Sequence, residues 1–196
     1  MYKNGLKRVF DFFVSFCAFL VLSPIFLLLC LLIKIDSPGP IFFKQRRIGK
    51  DKSEFFILKF RSMKINTPKD QPTHLLKNPD MYITPLGKFL RKSSLDELPQ
   101  LINIIVGEMS IVGPRPALYN QYDLIALRDD CGANSVRPGL TGWAQVNGRD
   151  ELPIDVKAEF DAQYVEKISF LFDLKCIIRT FKSVSTADGV VEGRQL

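Results

Sequence analysis

An uncharged apolar segment near the N-terminus places the strongest constraint on how this chain can fold. From Phe12 to Ile33 there are 22 consecutive residues without a charged side chain, and only two serines in the run are clearly polar. As a helix rising about 1.5 Å per residue, the segment would be about 33 Å long. Because the hydrocarbon layer of a bilayer is about 30 Å thick, the segment predicts a helix inserted in a membrane.

A cleaved signal peptide is the competing interpretation of this segment, and two features of the sequence oppose it. The run is longer than the apolar region of a usual signal peptide, and no small-x-small cleavage site follows it. Instead, Lys34 is soon followed by the turn sequence Ser37-Pro38-Gly39-Pro40. We therefore expect the segment to be retained as a membrane helix.

Positive charge flanks the apolar segment on both sides: Lys3, Lys7, Arg8, Lys34, Lys44, Arg46 and Arg47. Because such residues favour the cytoplasmic side, both ends of the segment are expected there, which a bend inside the bilayer would allow. Ser23 and Pro24 lie at the midpoint. Pro24 has no N–H for the carbonyl of Leu20, and the Ser23 hydroxyl can use part of the freed bonding capacity. A spanning helix with a proline kink is the alternative.

The rest of the chain has the length and polarity of one water-soluble domain. The 196 residues carry a net charge of +6, which predicts anionic partners such as membrane phospholipid headgroups or nucleotides. Nucleic acid is not an expected partner, because no zinc-finger, homeodomain or RNA-recognition signature is present. The four cysteines form no CxxC pair, and we expect them to be buried, reduced thiols.

The pattern of apolar residues predicts an α+β fold that is mostly helical, with surface amphipathic helices. Residues 41–49 and 55–63 are typical of two short strands joined by a polar turn, so a β-hairpin is expected. Residues 64–82 contain three prolines and predict a surface loop. Helices are expected at 86–91, 94–106, 118–128, 154–167 and from Phe170 onward. The predicted domains are a re-entrant membrane helix, 1–36, and a cytoplasmic catalytic domain, 37–196.

The last predicted helix is amphipathic. Its apolar residues fall on one face: Leu174, Ile177, Ile178, Phe181 and Val184. This face either covers the core, which is the more common arrangement, or rests on the membrane surface. The sequence leaves both interpretations open.

The adjacent carboxylates Asp96 and Glu97 are the strongest candidates for chemistry. Ser94 and Glu97 have the spacing of a capping box, which would place Asp96 at the positive end of a helix. There, free N–H groups and the nearby cations Arg91 and Lys92 are expected to lower the pKa of Asp96. An ionised carboxylate on a rigid helix end can attack an electrophile or bind a cation.

Six cations near turns or element ends form the second candidate group: Lys59, Arg61, Arg91, Arg115, Arg137 and Arg149. Arg115 lies between two prolines, which lowers the entropy lost when it binds an anion. Arg137 and Arg149 flank a glycine-rich loop whose backbone could approach phosphate oxygens. Together with the carboxylate pair, these cations predict a diphosphate site.

Other residues carry weaker functional signals. His74 is the only histidine, so a Ser-His-Asp triad and a multi-histidine metal site are not expected. Trp143 could stack on a base or a sugar, but a place in the core is the expectation. Asp129 and Asp130 lack a third carboxylate at metal-site spacing, and we interpret them as a helix terminus.

Several blocks of the sequence, taken in order, identify a family: Lys7-Arg8, Ser23-Pro24, Lys59-Phe60-Arg61-Ser62-Met63, Ser94-Leu95-Asp96-Glu97-Leu98-Pro99-Gln100-Leu101, Gly113-Pro114-Arg115-Pro116, Arg137-Pro138-Gly139-Leu140-Thr141-Gly142 and Asn147-Gly148-Arg149. In these blocks the chain resembles the bacterial sugar transferases, or monotopic phosphoglycosyl transferases, in their minimal form. The resemblance extends from the N-terminus to about residue 180.

The resemblance implies transfer of a phosphosugar from a UDP-sugar to a polyprenol phosphate such as undecaprenyl phosphate, with release of UMP. This would be the first membrane step of a bacterial glycoconjugate or polysaccharide pathway. The resemblance also implies Mg²⁺, a re-entrant helix broken at Ser23-Pro24, and a catalytic domain on the cytoplasmic face of the inner membrane.

The family's functional residues carry over onto matching positions of this chain. Asp96 would be the nucleophile that forms an aspartyl-phosphosugar intermediate, and it would share Mg²⁺ with the diphosphate. Glu97 would assist the acceptor, by taking its proton for example. The implied phosphate-binding positions are Lys59, Arg91, Arg115 and Arg149.

A non-catalytic membrane scaffold, which binds anionic lipids or polysaccharide enzymes through its basic face, is the second hypothesis. Before the resemblance is considered, the residues favour neither hypothesis. The sequence also leaves open the identity of the sugar, the downstream glycoconjugate and a homodimer through the soluble domain.

Overall fold

The computed structural model describes residues 2–68, 78–148 and 152–186, and this part of the chain is mostly helical with a few short strands. The helices are α1 (Lys7–Asp36), α2 (Pro85–Lys92), α3 (Gln100–Val106), α4 (Tyr122–Asp130), α5 (Ile154–Lys167) and α6 (Phe170–Thr186). The strands are β1 (Phe42–Ile48), β2 (Glu54–Phe60), β3 (Ser110–Val112) and β4 (Gly139–Thr141). The predicted α+β class is confirmed.

The apolar segment forms most of α1, a continuous helix of 30 residues. Among the described residues, α1 is the one helix long and apolar enough to cross a membrane. Inside it, the Ser23 hydroxyl donates to the Leu20 carbonyl at 2.8 Å, which satisfies the acceptor that Pro24 leaves without an N–H partner. Helical structure continues through Pro24, so the predicted break between two helices is absent. A re-entrant course would need one continuous, bent helix and stays a prediction.

Both ends of α1 are attached to the same domain. Near the N-terminal end, the Arg8 guanidinium donates to the carbonyls of Ile104 and Ile105 at the end of α3. At the C-terminal end, the Arg61 guanidinium donates to the carbonyls of Ser37, at 2.6 Å, and Pro38, at 2.7 Å. The two ends of the apolar helix are therefore fixed to one body of protein.

Among the described residues, two clusters of apolar side chains form the core, and α1 belongs to the larger one. That cluster joins Phe26, Leu29 and Ile33 of α1 to the hairpin and to α3. The smaller cluster lies around β3, α5 and α6, and Ile111 of β3 packs against both clusters. The boundary predicted at residue 36 thus separates an apolar helix from a more polar domain. The core nevertheless packs continuously across this boundary.

The predicted hairpin is confirmed. Strands β1 and β2 pair antiparallel, with Phe42 opposite Phe60 and Ile48 opposite Glu54. Asp51 and Lys52 in the connection have positive φ angles of 53° and 60°. Such left-handed residues allow a tight reversal of the chain, and Asp is among the side chains that tolerate them.

Strands β3 and β4 form a short parallel pair that the sequence analysis did not predict. The glycines of residues 137–149 were expected to let the backbone approach phosphate oxygens, and for two of them the structure gives another reason. A Cβ on Gly139 would lie 2.1 Å from the Gly113 nitrogen, and one on Gly142 would lie 2.0 Å from the Gly113 oxygen. These positions lack a side chain because two backbone segments touch there.

The remaining helices lie where the sequence predicts them, but some of their first and last residues differ from the prediction. The helix expected at 118–128 begins later, at Tyr122, and ends at Asp130, so the interpretation of Asp129 and Asp130 as a helix terminus is confirmed. The described parts of the predicted loop, 64–68 and 78–82, are mostly turns, with a single 3-10 turn at Pro79–Met81. All four cysteines are free, but only Cys176 is buried; Cys17 is exposed, and Cys30 and Cys131 are half-buried.

The apolar face of α6 divides between the core and the surface. Ile177 packs against the smaller core cluster, as expected for a helix that covers a core. Leu174, Ile178 and Phe181 are 41%, 60% and 71% exposed. The face is therefore core at Ile177 and exposed at these three residues, so the interpretation of the whole face as core is wrong. Their exposure favours contact with a lipid surface.

A buried ion pair connects α4 to α5. The Nε and Nη2 atoms of Arg128 donate to Asp161 Oδ2 at 2.8 and 2.6 Å, and both side chains are almost fully buried. The Arg128 Nη1 atom also donates to the backbone carbonyl of Arg115 at 2.9 Å. Removal of one partner would leave a buried charge without compensation.

We expect Asp161→Ala to lower the free energy of unfolding by about 3–5 kcal/mol, since Arg128 would remain buried and charged. For a domain of this size the midpoint of thermal unfolding should fall by roughly 6–20 °C, measured in detergent micelles. Asp129→Ala is the matched control, because it removes an exposed ion pair with Lys52. Equal shifts in the two variants would contradict the assignment.

Candidate active site

The backbone around the carboxylate pair is not the single capped helix that the sequence predicted. Ser94 has a left-handed conformation, with φ 57° and ψ 16°, and its side chain makes no capping hydrogen bond. A single 3-10 turn, Leu95–Glu97, precedes α3, which begins only at Gln100. An N-cap residue needs an extended conformation, so the predicted capping box is wrong.

Glu97 binds two cationic side chains and does not make the backbone contact expected in a capping box. Lys59 Nζ lies 2.6 Å from Glu97 Oε1, and Arg115 Nη2 lies 3.3 Å from the same oxygen. Lys59 Nζ is also 4.0 Å from Asp96 Oδ2. Three separate elements thus bring Lys59 and Arg115 together with the two carboxylates. They are the hairpin, the 3-10 turn and the loop after β3.

Burial raises the pKa of Asp96 to about 6, although the charges of Lys59, Arg91 and Arg115 oppose the shift. The predicted lowering of this pKa is therefore wrong. The sequence suggested an exposed helix end, whereas the Asp96 side chain is buried against its charged neighbours. Asp96 remains ionised at neutral pH but is more basic than an exposed aspartate, which favours attack on phosphorus.

The second carboxylate behaves in the opposite way. Burial would raise the pKa of Glu97 too, but the charges and hydrogen bonds of Lys59 and Arg115 outweigh it and hold the pKa well below the usual range. A carboxylate held so firmly in its ionised form is a weak proton acceptor. In this arrangement Glu97 orients the two cations beside Asp96.

The four remaining predicted cations have four different outcomes. Arg91 lines the cavity and acts electrostatically on Asp96, as expected. Arg61 borders the same cavity, but its guanidinium donates to carbonyls at the end of α1. Arg137 donates through Nε to the Gly107 carbonyl at 2.8 Å, at the end of α3, and does not line the cavity. Arg149 lies outside the described residues, as does His74.

Two arginines that the sequence analysis missed hold the loop that carries Arg115. Arg128 donates to the carbonyl of Arg115, and Arg47 Nη1 donates to the carbonyl of Pro116, each at 2.9 Å. The next carbonyl, of Ala117, accepts from the Ile48 backbone at 2.9 Å. Three successive carbonyls are thereby fixed. No local sequence signal marks Arg47 or Arg128, because their partners are distant along the chain.

The carboxylate pair lies in the wall of a cavity of about 820 Å³. This volume is within the range of small-molecule and cofactor sites. Trp143 does not line the cavity; its Nε1 donates to Gln163 at 3.0 Å and its ring packs with Phe172. Its predicted place in the core is confirmed.

A divalent cation would have few protein ligands here. Among the described residues no three His, Cys, Asp or Glu side chains are grouped as metal ligands. Mg²⁺ commonly uses one or two carboxylates together with substrate phosphates and waters, so the pair Asp96 and Glu97 fits a cation that arrives with a diphosphate. Asp96 is the better candidate ligand because Glu97 is already bound by Lys59 and Arg115.

Comparison with known proteins identifies the family of this chain. Residues 2–187 match the family described as bacterial sugar transferase. The chain is 40% identical over 182 residues to the UDP-glucose:undecaprenyl-phosphate glucose-1-phosphate transferase of Escherichia coli K12, covering 89% of this chain and 39% of that protein. It is also 40% identical over 197 residues to the exopolysaccharide production protein ExoY of Sinorhizobium fredii, covering 93% of this chain and 87% of ExoY.

A third relative is named for a different sugar. The UDP-N-acetylgalactosamine-undecaprenyl-phosphate N-acetylgalactosaminephosphotransferase of Aeromonas hydrophila is 36% identical over 190 residues, covering 94% of this chain and 44% of that protein. This chain thus spans less than half the length of two of the three relatives, and most of the third. The family match covers nearly the whole sequence, and the chain belongs to the bacterial sugar transferase family.

Proposed function

We propose that this protein transfers a sugar 1-phosphate from a UDP-sugar to undecaprenyl phosphate and releases UMP. The observation that carries the proposal is the buried, basic Asp96 beside Lys59, Arg91 and Arg115 in the wall of a cavity. Relatives named for UDP-glucose and for UDP-N-acetylgalactosamine share undecaprenyl phosphate as the acceptor in their names. The proposal therefore fixes the acceptor more firmly than the sugar.

In the first half-reaction, a carboxylate oxygen of Asp96 attacks the β-phosphorus of the UDP-sugar. A bond from aspartate oxygen to phosphorus forms, the bond between that phosphorus and the bridging oxygen breaks, and UMP leaves with the electron pair. In the second, a phosphate oxygen of the lipid attacks the same phosphorus. Asp96 leaves as a carboxylate, and a lipid diphosphosugar is formed. The two substrates need not occupy the site together.

Cations allow anions to react here. Lys59 and Arg115 are held by Glu97, so they are oriented before substrate binds and can stabilise charge that develops on the phosphoryl oxygens. The acceptor phosphate is already ionised near neutral pH and needs no strong base, which agrees with the lowered pKa of Glu97. When bound, Mg²⁺ would neutralise diphosphate charge beside Asp96.

The proposal places the domain at the inner membrane, on its cytoplasmic face. Both ends of α1 bind the same domain, which supports a re-entrant rather than a spanning course. Exposed apolar side chains on α6, including Ile178 and Phe181, would lie in the lipid interface. A non-catalytic scaffold would also bind membrane phospholipid, but it gives no reason for a buried carboxylate among cations. A homodimer through the soluble domain stays a prediction.

Asp96→Asn should reduce turnover by at least about 10³-fold, because the amide cannot form the acyl phosphate. Intact-protein mass spectrometry with a UDP-sugar alone should show a phosphosugar adduct on the wild type and none on the variant. Asp123→Asn, an exposed carboxylate on α4, is the control and should retain both adduct and turnover. Full activity of Asp96→Asn would support the scaffold. Release of UDP in place of UMP would indicate an ordinary glycosyl transferase.

Arg115→Met should lower kcat/KM for the UDP-sugar by about 10- to 100-fold, since a charge-assisted contact with phosphate is lost. The measurement is UMP release across a panel of UDP-sugars, which also identifies the preferred sugar. Arg46→Met is the control: this guanidinium is exposed and paired with Glu54 on the hairpin surface. Similar losses in both variants would indicate a general effect of positive charge.

Chelation by EDTA should abolish UMP release, and added Mg²⁺ should restore it, because two anionic substrates must approach Asp96. Adduct formation and complete turnover are measured separately. A rate that is unchanged in EDTA would contradict the magnesium proposal and would leave Lys59 and the arginines as the source of charge neutralisation.

A further inference from the structure

One group of apolar side chains lines the cavity that holds the carboxylate pair, and we call this group the apolar wall. This wall comes from elements distant in sequence, and its side chains include Ala18 and Leu22 of α1, Leu98, Ile111 of β3, and Ile177 and Phe181 of α6. The wall lies at the junction of the two core clusters, where Ile111 packs against both. A membrane helix and an amphipathic helix therefore border the same space as the catalytic residues.

Two threonine hydroxyls in this wall are paired with each other. Thr141 of β4 and Thr180 of α6 both line the cavity, and their hydroxyl oxygens lie 2.6 Å apart. The Thr180 hydroxyl also contacts the Cys176 carbonyl at 2.8 Å. Their hydrogen-bonding capacity is largely used within the protein, so these two threonines offer little to the hydroxyl groups of a sugar or to a uracil ring.

Charged side chains line the same cavity. Lys59, Arg91 and Arg115 line it together with Asp96 and Glu97. An occupant of the whole space must combine an anionic head with an apolar body. The outer faces of α1 and α6 beside the wall are also apolar and exposed: Val21 is 76% exposed and Ile178 is 60% exposed. Lipid would therefore surround the outside of the same two helices.

We propose that the wall between α1 and α6 is the binding site for the first isoprenoid units of the lipid phosphate acceptor, with the phosphate directed toward Asp96. This inference rests on the proposed function. The branched hydrocarbon chain contacts Leu22, Ile111 and Ile177, and the rest of the chain continues into the bilayer along α1. The nucleotide and the sugar occupy the polar part of the cavity.

The test places a larger side chain in the apolar wall, so that it occupies the space proposed for the hydrocarbon chain. Ile177→Trp should raise the KM for the lipid phosphate about 10- to 100-fold, since overpacking displaces the hydrocarbon chain. Adduct formation with the UDP-sugar alone should keep its wild-type rate, because that half-reaction needs no lipid. Ile178→Trp is the matched control: it makes the same change one residue later on the exposed face, and both half-reactions should be unaffected.

A second pair of variants covers a failure of Ile177→Trp to fold. Leu22 of α1 lines the wall and is replaced in the variant Leu22→Trp. The control is Val21→Trp on the outer face of the same helix. Leu22→Trp should raise the acceptor KM with the adduct rate unchanged. Acceptor assays use both undecaprenyl phosphate and farnesyl phosphate in detergent. The increase should persist with farnesyl phosphate, because its three isoprene units lie within the wall.

The outcomes separate this inference from the proposed function. If the wild type forms an adduct and transfers it, but the wall variants leave the acceptor KM unchanged, the inference is overturned and the function stands. If the control variants raise the KM equally, or if the increase vanishes with farnesyl phosphate, the wall contacts bulk phospholipid and the inference is again overturned. Absence of any adduct in the wild type would overturn the proposed function itself.

Discussion

The attachment of both ends of α1 to one domain is the interaction on which the rest of the structure depends. Arg8 binds the last carbonyls of α3, and Arg61 binds the carbonyls that follow α1. A guanidinium at a helix C-terminus satisfies acceptors that lack helical partners and complements the negative end of the helix dipole. Because α3 directly follows the 3-10 turn that carries Asp96, the contact made by Arg8 also sets the position of the carboxylates relative to the apolar helix.

The charges at the site divide two roles between adjacent residues. The same Lys59 and Arg115 that hold Glu97 in its ionised form only partly offset the burial of Asp96. Glu97 therefore serves to orient cations, whereas Asp96 keeps a basic oxygen that can attack. A single carboxylate could not do both, because full pairing with two cations would lower its basicity. The adjacency of the two residues is explained by this division, which a capping box would not explain.

The sequence predicts the elements whose causes are local. Alternating apolar residues and a polar turn produce the hairpin, and the uncharged segment produces α1. The wrong predictions concern residues whose partners are distant along the chain. The Ser94 pattern predicts the start of a helix, but its backbone is left-handed. Gly139 and Gly142 are determined by the approach of Gly113.

The same limit applies to the candidate site. Lys59, Arg91 and Arg115 come together with the carboxylates as their position at turns suggested. Arg61 also lies near the end of an element, but its guanidinium donates to carbonyls at the end of α1. Sequence spacing therefore selects cations that can converge, whereas tertiary packing decides whether a guanidinium faces a substrate or a helix end. The composite cavity follows from the same logic: Lys59, Arg115 and the carboxylates come from three separate elements, and the apolar wall joins side chains of α1 and α6. A reaction between a soluble nucleotide sugar and a membrane lipid requires both parts, and neither segment could supply them alone.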